Sequence, residues 1–284
     1  MLALWIALRV RVASAPYAEI AWIHLVALGW VTVSALSILL HAIPAFLDVT
    51  WRNETLARYA LAATAAAIAA LVIAFLLLPA ALGITATILL GALIIYLVTA
   101  WATLAQASRS EDRSDRAVAR AFAVTLALLA IAALLGTLIA WMLAGAQVPA
   151  WIAQLPPAHA NLALFGWLTL LIYGVSARTL RPITGNRTRR LALHVIAGTT
   201  TLLGAPLLAL GSALAASWLL WLGGALVAAG AAAYVLDVAV LLAGASEAHR
   251  VPQAFVAAGI AWLGAAMVLG AGVLAGAPWQ LAFV

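Results

Sequence analysis

Eight stretches of this chain are long and apolar enough to cross a bilayer, and they leave little sequence for anything else. A helix that crosses the hydrocarbon core needs about 20 mostly apolar residues. Segments 19–46, 56–79, 83–107, 117–145, 159–180, 190–211, 214–244 and 252–276 meet that need. In lipid every backbone N–H and C=O must be satisfied within the protein, so runs of this length are expected to be helices. The sequence therefore predicts an all-α, polytopic membrane protein with about eight transmembrane helices. Of its 284 residues, 68% are hydrophobic and 8% charged, whereas soluble domains carry roughly 25% charged residues. The lipid bilayer is the partner this composition demands.

The breaks between spans are marked by turn-forming residues. Leu78-Pro79-Ala80-Ala81-Leu82-Gly83 reads as a tight turn, residues 147–157 as a loop carrying Pro149, Pro156 and Pro157, and Gly211-Ser212 as a short link. In residues 1–16, Arg9 and Arg11 follow the apolar stretch instead of preceding it, so this segment reads as interfacial and not as a signal peptide.

Charge alternates from loop to loop. Loops after the first, third, fifth and seventh spans hold twelve of the fourteen basic residues, all arginine, and the intervening loops hold none. The positive-inside rule places the arginine loops in the cytoplasm and both termini outside, in what reads as a bacterial plasma membrane. Trp141, Trp151, Trp218, Trp221 and Trp279 gather toward the opposite ends as an aromatic belt. The net charge of +6 is thus accounted for by membrane orientation, with no nucleic-acid partner.

The chain also repeats itself. Leu28-Gly29-Trp30-Val31-Thr32 matches Phe165-Gly166-Trp167-Leu168-Thr169 at an offset of 137. Tyr96 and Leu104–Ser108 match Tyr234 and Leu242–Ser246 at 138, and Ala121-Phe122 matches Ala254-Phe255. The reading is a duplicated four-helix unit: residues 17–146, an outer loop 147–157, and residues 158–284. Four spans is an even number, so both copies run the same way and the pseudo-two-fold axis lies along the membrane normal.

Cysteine and lysine are both absent. That excludes disulfides, Fe–S clusters, thiolate metal sites, c-type haem attachment and Schiff-base chemistry. Histidine is what remains for a metal. His24 and His159 fall near the outer ends of spans one and five, while His41, His194 and His249 fall near inner ends. Neutral imidazole ligates haem iron and copper, and two histidines on facing helices can clamp a b-type haem without cysteine. His24, His159, His41 and His194 are therefore the candidate cofactor ligands, the first three for a bare metal as well. Arg178 and Arg181 are candidates to neutralise haem propionates. His249, beside Glu247 and Arg250, fits a solvated loop. Asn161, not His159, occupies the repeat position of His24.

Asp237 lies well inside the seventh span, where a carboxylate is costly and needs a partner. Arg178, at a similar depth and at the repeat position of His41, is the expected one. The pair reads equally as structural or as a proton- or ion-handling site.

The segments His24-Leu-Val-Ala-Leu-Gly-Trp30 … His41-Ala-Ile-Pro44 and His159-Ala-Asn-Leu-Ala-Leu-Phe-Gly-Trp167 … Arg181-Pro182-Ile-Thr-Gly185 resemble membrane proteins related to haem–copper oxidase subunit I, including NnrS-like proteins. The resemblance covers two short patches. It implies haem b, with copper as a second cofactor class, and chemistry on oxygen, nitric oxide or electrons. Subunit I has twelve spans, and here His159-Ala-Asn161 stands where a His-x-His would. No adjacent His-His pair is present for a copper site. The leading expectation is a haem b- or metal-binding membrane protein with a redox, electron-transfer or gas-sensing role and a redox partner. The alternatives are a small-solute, ion or metal carrier using the repeat interface and Asp237, and an assembly subunit of a larger membrane complex.

Overall fold

The computed structural model describes residues 15–185, 191–245 and 250–274, and all regular structure among them is helical. Seven helices are long and apolar enough to span a membrane: α1 (Ala18–Leu47), α2 (Glu54–Leu77), α3 (Pro79–Ala107), α4 (Arg113–Leu143), α5 (Ala150–Thr184), α6 (Leu191–Ala213) and α7 (Ser217–Ala243). An eighth long helix, α8 (Arg250–Leu274), follows. The chain is an all-α, integral membrane protein of the polytopic class.

Local chemistry sets the helix ends. Asn53 caps α2 by accepting the Leu56 N–H at 3.0 Å, and Asp112 caps α4 by accepting that of Ser114 at 2.7 Å. Pro79 opens α3 where its missing N–H costs nothing. Pro156 and Pro157 do the same in α5: the regular α-helix starts at Leu155, so His159 sits in its second turn and does not open the span. Both α1 and α5 stop at a left-handed residue, Asp48 (φ 48°) and Gly185 (φ 65°).

These two helices share one internal plan. In α1, an α segment Ala18–His24 leads into a π segment Leu25–Thr32 and then an α segment Val33–Leu47. In α5 the corresponding pieces are Leu155–Asn161, Leu162–Thr169 and Leu170–Thr184. Segment lengths are 7, 8 and 15 residues in both, and every boundary is displaced by 137. The Val33 N–H bonds Leu28 O, five residues back, and the Thr32 hydroxyl donates to Ala27 O at 2.8 Å. This is π-type bonding, which recurs at functional sites.

The chain divides into two compact units, Met1–Leu168 with Ser212–Leu214, and Thr169–Gly211 with Ala215–Val284. In the first, α2 packs along α3 and α3 along α4. At the arginine-free end, Ala21, Leu71, Ala74, Phe75, Leu82, Ala86 and Ala140 form its core. Lipid offers helices no hydrophobic drive to associate, so small residues that admit close packing do the work. Nearer the middle, the Tyr96 hydroxyl of α3 donates to Leu36 O of α1 at 2.7 Å.

The second unit is held by a seam between α6 and α7. A methyl group on Gly204 would lie 2.8 Å from Gly223 O and 2.9 Å from the Val227 N–H nitrogen. A methyl on Gly223 would lie 2.6 Å from Leu208 N, and one on Gly230 would collide with the Thr201 hydroxyl. Here the backbones approach as only glycine allows.

Candidate functional site

The first unit brings His24 and His159 together at its arginine-free end. Their rings are parallel, 4° apart in plane, with centroids separated by 6.2 Å. His24 ends the first α segment of α1, and its Nδ1 lies 2.8 Å from Ile20 O. The Nδ1 of His159 lies 2.8 Å from Ala132 O on α4. A carbonyl only accepts, so each Nδ1 carries the proton and each Nε2 is left with a lone pair. Each ring thus keeps one nitrogen lone pair through the same backbone device.

The surroundings are apolar and tight. Phe75 stands against His24 with ring centroids 5.2 Å apart. Gly136 lies beneath His159: a Cβ there would meet Cε1 at 2.9 Å and Nδ1 at 3.2 Å. Thus α4 both orients the ring, through Ala132 O, and makes room for it, through Gly136. Neither residue was indicated by the sequence, where Gly136 is one more small residue in an Ala/Leu-rich span. Asn161, at the repeat position of His24, donates through Nδ2 to the Ser212 hydroxyl at 3.0 Å. It serves the helix framework.

The other predicted residues go elsewhere. His41 is exposed and lines a groove of about 520 Å³ with Leu40, Pro44, Asp48, Trp51 and Glu54. His194 belongs to the second unit, where its Nδ1 lies 3.7 Å from Oδ2 of Asp237. The sequence named Arg178 as the partner of Asp237; the approach of His194 to the same carboxylate was not foreseen. Arg178 is half-buried and Arg181 exposed, both on the second unit's part of α5. His249 lies outside the described residues. Among the described residues no three or more His, Asp or Glu side chains converge on a common metal position.

Beside Asp237, the rings of Tyr173 and Tyr234 stack at 4.4 Å and 25°. Ser176 donates to Tyr173 O at 2.9 Å, and Thr201 is fully buried against Gly230. Among the described residues, the fully buried carboxylate belongs to the second unit. No protein family, curated protein or solved structure matches the chain.

Proposed function

We propose that His24 and His159 of the first unit would hold a haem b, and that the protein carries electrons in the membrane. The observation that carries this reading is the parallel imidazole pair with both Nδ1 atoms bonded to carbonyls. Donor number supports the reading: each ring offers one in-plane nitrogen lone pair, and the parallel rings lie with centroids 6.2 Å apart. A bare zinc or copper(II) ion commonly takes four ligands from its surroundings, whereas haem iron arrives with four and takes two.

Bound there, haem b supplies reversible one-electron chemistry at its iron. The chain's own residues define the setting. Ile20 O and Ala132 O hold the two rings in one tautomer, with Nε2 the unprotonated nitrogen. Phe75 and the alanine-rich core keep the local dielectric low. Held by both His24 and His159, such a group would supply electron transfer in preference to gas binding. By the positive-inside rule, the arginine loops face the cytoplasm and this site lies toward the outer face.

Purification from haem-replete cells tests the reading. The expected result is a Soret band with about one haem b per chain, lost in His24→Ala and in His159→Ala and retained in His41→Ala. A colourless protein, or a band indifferent to both outer histidines, overturns it. A colourless protein with one copper per chain would instead make the pair a copper site.

A further inference from the structure

The second unit holds an ionisable pair that the haem reading does not use. Asp237 is 1% exposed, in the buried stripe of α7 formed by Gly223, Val227, Gly230, Tyr234, Asp237 and Leu241. His194 lies on the facing stripe of α6, one turn from the helix start at Leu191. The side chains differ in access: 17% of His194 is exposed against 2% of Asp237. The carboxylate is therefore the inner member and the imidazole the outer one, toward the arginine-rich loops. At 3.7 Å, Nδ1 and Oδ2 are too far apart for a direct hydrogen bond and close enough to form one after a small movement. The close glycine contacts of α6 with α7 lie further along the same two helices, where Gly230 meets Thr201 and Ala197.

Stability does not explain the pair. Buried ion pairs are poor stabilisers compared with apolar or neutral packing. The molecule also contains its own comparison. In the first unit, the segment leading into α2 is tied to α3 by Arg52 N–H to Thr103 Oγ1 at 3.2 Å and Gln106 Nε2 to Thr50 O at 3.2 Å, which sets the register of the two helices. That register brings Ala57 level with Thr99, the counterparts of His194 and Asp237. Thr99 satisfies its hydroxyl on Tyr96 O at 2.7 Å, and Ala57 is fully buried. The same kind of helix seam closes there without a charge.

We infer that His194 and Asp237 form a proton-loading site filled from the arginine-rich end. Water at that end delivers a proton to Nε2 of His194, the Nδ1 proton passes to Oδ2 of Asp237, and a neutral imidazole and a neutral carboxylic acid result. Release follows the same path in reverse. In the second unit, the other titratable or charged side chains on these helices, among the described residues, are Tyr173, Arg178 and Arg181 of α5, Tyr234 of α7 and Arg250 of α8.

Infrared difference spectroscopy of the full chain in nanodiscs, between acidic and alkaline buffer, tests this. A protonated-carboxyl stretch should appear on acidification and vanish in Asp237→Asn. In His194→Gln its hydrogen–deuterium exchange should slow at least tenfold. The double variant Asp237→Thr/His194→Ala, which installs the residues of the first unit, should fold and melt like the parent and lack the band. A band unaffected by Asp237→Asn, exchange unaffected by His194→Gln, or a double variant that fails to fold would each overturn the assignment, the last by making the pair structural. None of these readouts depends on a bound chromophore.

Discussion

Tyr173 stacks on Tyr234 at 4.4 Å in the second unit, at the positions that Leu36 and Tyr96 hold in the first. There the contact is a hydrogen bond, from the Tyr96 hydroxyl to Leu36 O at 2.7 Å. One helix-to-helix register thus carries two chemistries. Replacing Tyr96 with Phe keeps the ring and removes the bond. Such interhelical bonds are worth about 0.6 kcal/mol, at most about 1.7. Chemical unfolding in mixed micelles should show a loss in that range, with helix content unchanged.

Gly136→Ala places a methyl 2.9 Å from His159 Cε1. The ring is tied to Ala132 O on the same helix, so it cannot yield without losing that bond. We expect a cost of about 1–3 kcal/mol, typical of overpacking, and a weakened Soret band. A variant with unchanged melting and unchanged haem content would show that the ring is freer than its contacts imply.

Gly230→Ala and Gly198→Ala make a paired test. The first drives a methyl into the Thr201 and Thr200 hydroxyls and the Ala197 carbonyl, whereas nothing lies within 4 Å of the second. The first should destabilise by about 1–3 kcal/mol. The second should be neutral or stabilising by up to about 1 kcal/mol, because alanine is the better helix former. Thermal melts of the two proteins side by side decide it.

At the start of α2, two polar contacts should differ in worth. Asn53→Ala removes a cap and should cost about 0.5–2 kcal/mol. Arg58 pairs with Glu54 at 2.5 Å, but both side chains are more than half exposed. Arg58→Ala should therefore change stability by no more than about 0.5 kcal/mol. Unfolding free energies measured at low and high salt would separate the two.

The spans were legible because lipid imposes a length and a composition. Predicted segments 56–79 and 117–145 became Glu54–Leu77 and Arg113–Leu143, with shifts set by the caps Asn53 and Asp112. The fifth span began earlier than expected because Pro156 and Pro157 were read as loop residues when they occupy a helix's first turn. That His24 and His159 would come together was an inference from helix ends, and their rings lie parallel with centroids 6.2 Å apart. The π segments left no trace in the sequence, since Leu-Val-Ala-Leu-Gly-Trp-Val-Thr is compatible with either winding. Gly136, Ala132 O and the Asp237–His194 approach were equally hidden. In an Ala/Leu-rich chain nearly every helix face is apolar, and composition does not say which face turns inward.

The two carbonyl tethers have a kinetic and thermodynamic consequence. An untethered imidazole samples several rotamers and both tautomers, and an arriving electrophile must select one. Here folding has already done the selecting, through Ile20 O on one side and Ala132 O on the other. Each lone pair keeps a fixed bearing before any guest arrives, so capture requires little ordering of the host.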